Sequence, residues 1–355
     1  MTSTGAAANE TRAVRLREDG TSSGPQRGGR RSRGRRGGTT ARFVLGRLVG
    51  LVATLFAASL VVFFSRFVVP GDPARFLLRG RSPSPEAIAE VTKQYGLDKS
   101  PIEQYLSWIS GVVRGDFGRS LQYRDDVSSV LLARLPVTLE LVALAAVIIV
   151  LFGLAAGIFA SLRRGKLTDR VILMTSTALG AMPAFVIAIL LIAVFAVQLG
   201  WFPSFGSGDA GWDRFMHLIL PAFALGLAFV ALIARVTRSS MNEQFVREHV
   251  EVATSRGLTR SSVVLRHVLR NAVGPILLVS GVLVAGLLVS SAIVEQTFGL
   301  AGMGSLLVQS VDRLDFPVVQ AIVLVVVIAF VTINTIVDLI QPLIDPRIAA
   351  GSETR

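Results

Sequence analysis

The chain has 355 residues, 52% of them hydrophobic and only 17% charged, with no cysteine, three histidines and a formal net charge of +12. Soluble domains carry roughly 25% charged residues, so this composition, with mean hydropathy +0.60 and long unbroken apolar runs, excludes an ordinary cytosolic enzyme, a disordered protein and a disulfide-stapled secreted domain. Nor does the charge point to nucleic acid: ten arginines against Glu10, Glu18 and Asp19 place +7 of the +12 within residues 1–42.

Residues 1–42, rich in Gly, Ser, Thr and Arg, offer too little apolar surface to offset ordering and read as a disordered basic tail. Attraction to anionic membrane lipid is the one role its composition suggests. The apolar run at 43–69 exceeds the 7–15 residues of a signal-peptide core, and no small-residue cleavage site follows, so it reads as a retained anchor. A helical span needs about 20 apolar residues. Six stretches qualify: 43–65, 138–160, 171–197, 218–235, 274–294 and 318–342. The fourth is the weakest, interrupted by Pro221 and closed early by Arg235. Gly180 and Pro183 lie inside the third, where neighbouring helices must satisfy any freed backbone groups. Gly153 and Gly157 have the spacing that lets helices approach closely.

Basic residues set the orientation. The 161–170 loop holds Arg163, Arg164, Lys166 and Arg170, and the 236–273 loop holds six arginines, whereas 198–217 and 295–317 carry one each. Both termini, including residues 349–355, and the two basic loops are therefore expected in the cytoplasm. The long 66–137 segment is expected outside, as a small helical cap. Ser84-Pro85 and Ser100-Pro101 are helix starts, with Ser at the N-cap and Pro at the first helical position, and Gly96 is a stop.

Catalytic signatures are missing from the sequence. It contains no GxxxxGK[ST] phosphate loop, no HExxH and no thiol, and the glycines at 299, 302 and 304 follow no strand. Arg47, Arg66, Glu140, Arg235 and Asp338 fall toward span ends, where headgroup contact explains them. His217, His249 and His267 form no metal-ligand pair. The 236–273 loop is more informative. A first helix carrying Met241, Phe245 and Val252 or Ala253 is expected to run to Arg256 and stop at Gly257. Thr259 then caps a second helix with Val263, Val264, His267 and Val268. A helix–glycine–helix at the membrane surface follows.

Here the residues are familiar. Glu251-Val-Ala253 followed by Gly257 resembles the EAAxxxG signature of membrane subunits of bacterial ATP-binding-cassette importers. Arg266-His267-Val-Leu-Arg270-Asn271 is similar to the dipeptide/oligopeptide/nickel permease version. Further matches run in family order: Pro70-Gly71-Asp72-Pro73, Tyr95-Gly96-Leu97-Asp98, Gly115-Asp116-Phe117-Gly118-Arg119-Ser120 and Leu135-Pro136-Val-Thr138-Leu-Glu140. Glu295-Gln-Thr-Phe298, Asp315-Phe-Pro317 and Val337-Asp338 with Asp345-Pro346-Arg347 complete the set. The resemblance covers 43–348, and the cap suggests the first of two paired permeases.

The resemblance implies an all-α membrane protein of six transmembrane helices that is not itself an enzyme. Arg247, Glu251, Ala253, Arg256, Gly257, His267, Arg270 and Asn271 would form a coupling segment against a separate ATPase. Asp72, Asp116, Glu295, Phe298 and Asp315 would serve the outer gate and docking of an extracytoplasmic solute-binding protein. The implied partners are a second related permease, two P-loop ATPase subunits that hold the ATP and magnesium, and a short-peptide substrate. No cofactor or metal is expected in this chain. A nickel chelate is the alternative cargo. A secondary transporter or channel is the alternative class, and it would call for mid-span charges or inverted repeats.

Overall fold

A computed structural model of the chain describes residues 36–67, 84–94, 98–120 and 122–344. Expectations for Asp72 and its neighbours at 70–73, for residues 95–97 and 345–347, and for the tails at 1–35 and 349–355 lie outside the described residues. Every regular element described is a helix. In chain order they are α1 (Arg36–Phe64), α2 (Pro85–Gln94), α3 (Pro101–Val113), α4 (Val127–Leu162), α5 (Leu167–Ala181) and α6 (Ala184–Gln198). Then follow α7 (Trp212–Phe245), α8 (Glu248–Ser255), α9 (Arg260–Phe298), α10 (Met303–Asp312) and α11 (Phe316–Ile344). Two boundaries move from the sequence expectation. Helix α1 starts at Arg36, inside the stretch read as a disordered tail, and α4 starts at Val127, so the last part of the expected outer cap belongs to a long helix.

Five helices (α1, α4, α7, α9 and α11) are long and apolar enough to cross a bilayer, and α5 with α6 makes a sixth crossing if the bent pair is one span. That third span is not the straight helix expected. It bends by 104° at its break, because proline drives the preceding residue out of the helical region: Met182 sits at φ −83°, ψ 133°.

Helix α7, weakest by sequence, is the centre of the bundle. In its most apolar stretch 56% of residues are buried, against 17% in α1, and it packs against α4, α5, α6 and α9. Pro221 is buried inside it without ending it, and the helix runs ten residues past Arg235, whose guanidinium donates to Thr177 Oγ1 at 3.3 Å. Between membrane helices the driving force is close packing rather than expulsion of water, and glycine provides it here. A Cβ on Gly153 would lie 2.7 Å from Ile233 Cβ, and one on Gly157 would lie 2.5 Å from Thr237 Cβ. The order of contacts shows α4 and α7 running the same way: Glu140 with Arg214 (3.5 Å) at one end, Ser161 with Asn242 (3.0 Å) at the other.

Helices α1 and α11 run antiparallel, tied near both ends. Arg47 pairs with Asp338 at 2.9 Å, and Gln320 Nε2 donates to the carbonyls of Val62 and Phe63. The start of α1 and the end of α11 therefore lie on one side of the bundle. Arg66 leaves the bilayer run by stacking over Phe63, 4.2 Å from its centroid, and by donating to Gln104 of the cap. Helix α3 opens with the capping box expected of Ser100-Pro101, Ser100 and Glu103 bonding reciprocally. It is held on α1 by Tyr105, whose ring packs on Phe63 (5.4 Å) and whose hydroxyl meets Ser59 Oγ at 2.8 Å.

Candidate functional site

At the end of the bundle where α4 and α7 finish, the chain makes a hairpin. Helix α7 stops at Phe245, Val246 and Arg247 turn, and α8 runs from Glu248 to Ser255. The single helix expected through to Arg256 is thus two pieces. Gly257 follows at φ +76°, a region where side chains with a Cβ cost energy. Thr259 occupies the N-cap of α9 with extended backbone, but its hydroxyl makes no capping bond. The first part of α9, Val263–Leu269, is a π-helix, a bulge that turns side chains relative to a regular α-helix.

The hairpin has two unlike faces. Its inner face is a single apolar cluster: Met241, Val250, Ala253, Val263, Val264 and Val268 are all buried, with Phe245 partly so. Of the two candidates for that face, Ala253 is inside at 4% exposure and Val252 outside at 42%. The outer face presents Glu251, Arg256, Gly257, Arg270 and Asn271 to the surroundings. Arg247 is also exposed, but it already pairs with Glu243 at 2.6 Å. Asn271 closes the hairpin at its base: its amide nitrogen donates to the His267 carbonyl (2.7 Å) and meets His249 Nε2 (3.2 Å). His249 was not among the expected coupling residues. The 22 residues between it and Asn271 give a sequence no signal that they meet.

One further polar tie near this end was missed. Asp169, almost wholly buried in the first turn of α5, takes both arms of the Arg238 guanidinium from α7, at 2.7 and 2.8 Å, and accepts the Gly165 amide at 3.0 Å. The only sequence hint was one acid inside a loop of four basic residues.

The opposite end is arranged differently. Glu295, at the end of α9, is fully buried and accepts from Thr138 Oγ1 (2.8 Å) and the Ser305 amide (2.9 Å). Thr138 in turn accepts from the Met303 amide at 2.8 Å. Gly302 is required where it stands, since a Cβ there would lie 2.5 Å from the Glu295 carboxyl carbon. Asp315, 1% exposed, accepts from Ser120 Oγ (2.5 Å) and the Gln122 amide (3.1 Å). Phe298 is buried too, its carbonyl bound by the Gly206 amide at 2.9 Å. Of the two roles expected here, docking and outer gate, burial does not suit Glu295, Phe298 and Asp315 to a docking face, and the gate role stands as an expectation. Each is used up inside the chain, where burying a carboxylate demands internal donors. Asp116 is exposed, its carboxylate accepting from the Gly118 amide and its backbone N–H donating to the Gly111 carbonyl.

So the sequence stretches around 135–140, 295–298 and 302–304 converge on one buried lock, and those around 115–120 and 315–317 on a second. With five or six crossings, an exposed hairpin at one end and buried polar locks at the other, the class is a polytopic all-helical membrane protein. Residues 150–350 match the family of binding-protein-dependent transport system inner membrane components, and residues 40–143 match its N-terminal component. The chain belongs to that family, as a multi-pass inner-membrane permease subunit of an ATP-binding-cassette importer. It is 39% identical, over 86% of its length and 98% of theirs, to the glutathione transport system permease proteins GsiC of Escherichia coli and Shigella flexneri. Its fold is similar to that of a solved structure described as inward-facing conformations of the MetNI methionine ABC transporter, with TM-score 0.52, 18% identity, 61% of this chain and 96% of that one covered.

Proposed function

We propose that this subunit carries short peptides or peptide-like solutes into the cytoplasm, driven by ATP that separate subunits hydrolyse. The observation that carries the coupling part is the two-faced hairpin. Its inner face is welded to α7 and α9 by the apolar cluster, while Glu251 and Arg256 on its outer face make no side-chain hydrogen bond or ion pair among the described residues. Such a segment transmits force well: a push on the outer face moves two spans together. The Asp169–Arg238 pair carries the push on to α5.

In this reading two ATPase subunits, holding ATP and magnesium, press on the hairpin as they close. Gly257 lets the second limb fold back at a φ other residues avoid. A second related permease completes the pathway, and an extracytoplasmic binding protein delivers solute at the cap, with Asp116 on the exposed side. In this reading the hairpin, the N-terminus and the C-terminus face the cytoplasm, an orientation that the arginine-rich loops support. Peptide as cargo is supported by the GsiC relatives, since glutathione is itself a tripeptide.

The test is purification of the tagged chain in mild detergent with its co-expressed neighbours, followed by ATPase assay and uptake of labelled di- and tripeptides into proteoliposomes. Co-purification of a second permease and ATPases, with peptide uptake that needs ATP, is the expected result. A chain that purifies alone and moves solute without ATP would overturn it. Uptake of a nickel chelate in place of peptide would keep the coupling mechanism and correct the cargo.

A further inference from the structure

A groove of about 540 Å³ opens on the side of the bundle where α4 ends and α9 begins. Its rim carries Arg163, Lys166 and Arg260, all exposed, together with Ser261. No acidic residue lines it. Among the described residues none of the three cations is in an ion pair; Arg163 has only a 3.4 Å contact to Thr168 Oγ1. Three uncompensated positive charges on one rim repel each other, and an anion relieves that repulsion. The floor, in contrast, is apolar: Leu162, Val264 and Leu265.

Ile158 continues this groove onto one apolar face of α4, made of residues from Ala146 to Ile158, with Val147, Val150 and Leu151 exposed. Over those residues a helix rises about 18 Å, close to one leaflet of a hydrocarbon core about 30 Å thick. The basic rim begins where the apolar run of α4 ends, at the level a headgroup occupies. Charge and length together specify one kind of occupant.

We propose that this groove holds the headgroup of an anionic phospholipid, its phosphate among Arg163, Lys166, Arg260 and the Ser261 hydroxyl, with an acyl chain along the exposed apolar face of α4 toward Ala146. A zwitterionic lipid would bring its own ammonium against three cations. The arginine-rich N-terminal segment is repelled by the same charges, and an acidic protein segment would leave the long apolar stretch unfilled. A lipid seated here bridges the α4–α5 turn to the first residues of α9. It therefore braces the second limb of the hairpin that starts beyond Gly257, and ties coupling to the anionic content of the membrane. The site needs only the membrane insertion of this chain, so it stands apart from the proposed cargo and ATPase partners.

The experiment places the full chain, with and without its partner subunits, in nanodiscs containing a phosphatidylglycerol or a phosphatidylcholine probe with a photoreactive acyl chain, and maps the labelled peptides by mass spectrometry. The expected result is labelling of the 146–158 stretch by the phosphatidylglycerol probe well above the phosphatidylcholine probe. Each rim cation removed should lower it about fivefold, read in Arg260→Gln alone and in the triple variant Arg163→Gln, Lys166→Gln and Arg260→Gln, with labelling of other lipid-facing helices unchanged. Equal labelling by both probes would overturn the proposal, as would undiminished labelling in Arg260→Gln. Displacement by millimolar inorganic phosphate would mark a free-phosphate site, and loss of labelling only when partner subunits are present would mark a protein interface; either sinks the lipid. Labelling that persists on the chain alone while no ATPase assembles would leave the lipid site standing and break the importer reading separately.

Discussion

The two ends of this bundle use polar residues in opposite ways. At the hairpin, Glu251, Arg256 and Gly257 stand outside, with the side chains of Glu251 and Arg256 unpaired among the described residues. At the far end, Glu295 and Asp315 are buried and each takes a hydroxyl from an element distant in sequence together with a backbone amide. Both sets stand in equally distinctive sequence motifs. The difference teaches that such a motif can mark either a face kept free for another molecule or a knot that holds the chain to itself, and burial decides between them. Substitutions at the first kind should spoil work without spoiling stability; at the second kind, stability goes first.

Gly257→Pro should give the largest functional effect. Proline fixes φ near −65°, whereas position 257 needs +76°. Proline also removes the Gly257 N–H donated to the Thr254 carbonyl, so the turn itself must rearrange. The spans do not depend on it, so the protein should still insert in the membrane while uptake into proteoliposomes falls to background and ATPase stimulation is lost. Gly257→Ala meets no clash and only the left-handed penalty of about 1–2 kcal/mol, so partial uptake is expected. Normal transport by the proline variant would break the comparison at its first limb.

Asp169→Ala probes a residue that lies near the hairpin yet is buried like the outer lock. Removing Asp169 takes two charge-assisted bonds from the Arg238 guanidinium, which is 26% exposed and so partly hydrated, at a cost of about 1–3 kcal/mol. Thermal unfolding in detergent should report that loss, and adding Arg238→Met should restore much of it. Stability unchanged by Asp169→Ala would show that location, not burial, sets the behaviour.

Glu295→Ala comes next. It orphans the Thr138 hydroxyl and the Ser305 amide, at about 1–3 kcal/mol for each group left unsatisfied. A lowered melting temperature is expected, with increased protease cleavage around 299–305, while Glu295→Gln, which still accepts, should lose less. A wild-type melting curve for the alanine variant would mean the lock carries no weight.

What the sequence made legible was local. The serine–proline helix starts at 84 and 100, the glycine stop at 257 and the close-packing glycines at 153 and 157 each depend on residues within one or two turns, and the structure has them. What it hid was long-range. Nothing near Pro221 says that α7 will be surrounded, and surroundings are what make a proline-bearing helix tolerable. Nothing near Pro183 says whether the neighbours hold the helix straight, and there they do not. Asp169 meets Arg238 across 69 residues and Asp315 meets Ser120 across 195; such pairs are products of packing, so the acidic motif residues could be found but not their partners. That is why the motifs of Glu295 and Asp315 suggest an outer gate or docking face in the sequence, while their internal partners show only in the packing.

The smallest expected effect is also the sharpest test of how the hairpin works. Arg247 is exposed in the turn after α7 and pairs with the exposed Glu243 four residues earlier, and exposed pairs of this kind are worth about 0–1 kcal/mol. Arg247→Ala should therefore leave the melting temperature unchanged within error. If Arg247 serves only its own chain, uptake and ATPase stimulation stay at wild-type level as well. If it leaves Glu243 to meet an ATPase, stimulation falls while stability does not, and Glu243→Gln, which frees the guanidinium, should raise stimulation. The two variants move in opposite directions only when the pair competes with a partner, so measuring both separates an idle surface bridge from a contact surrendered on docking.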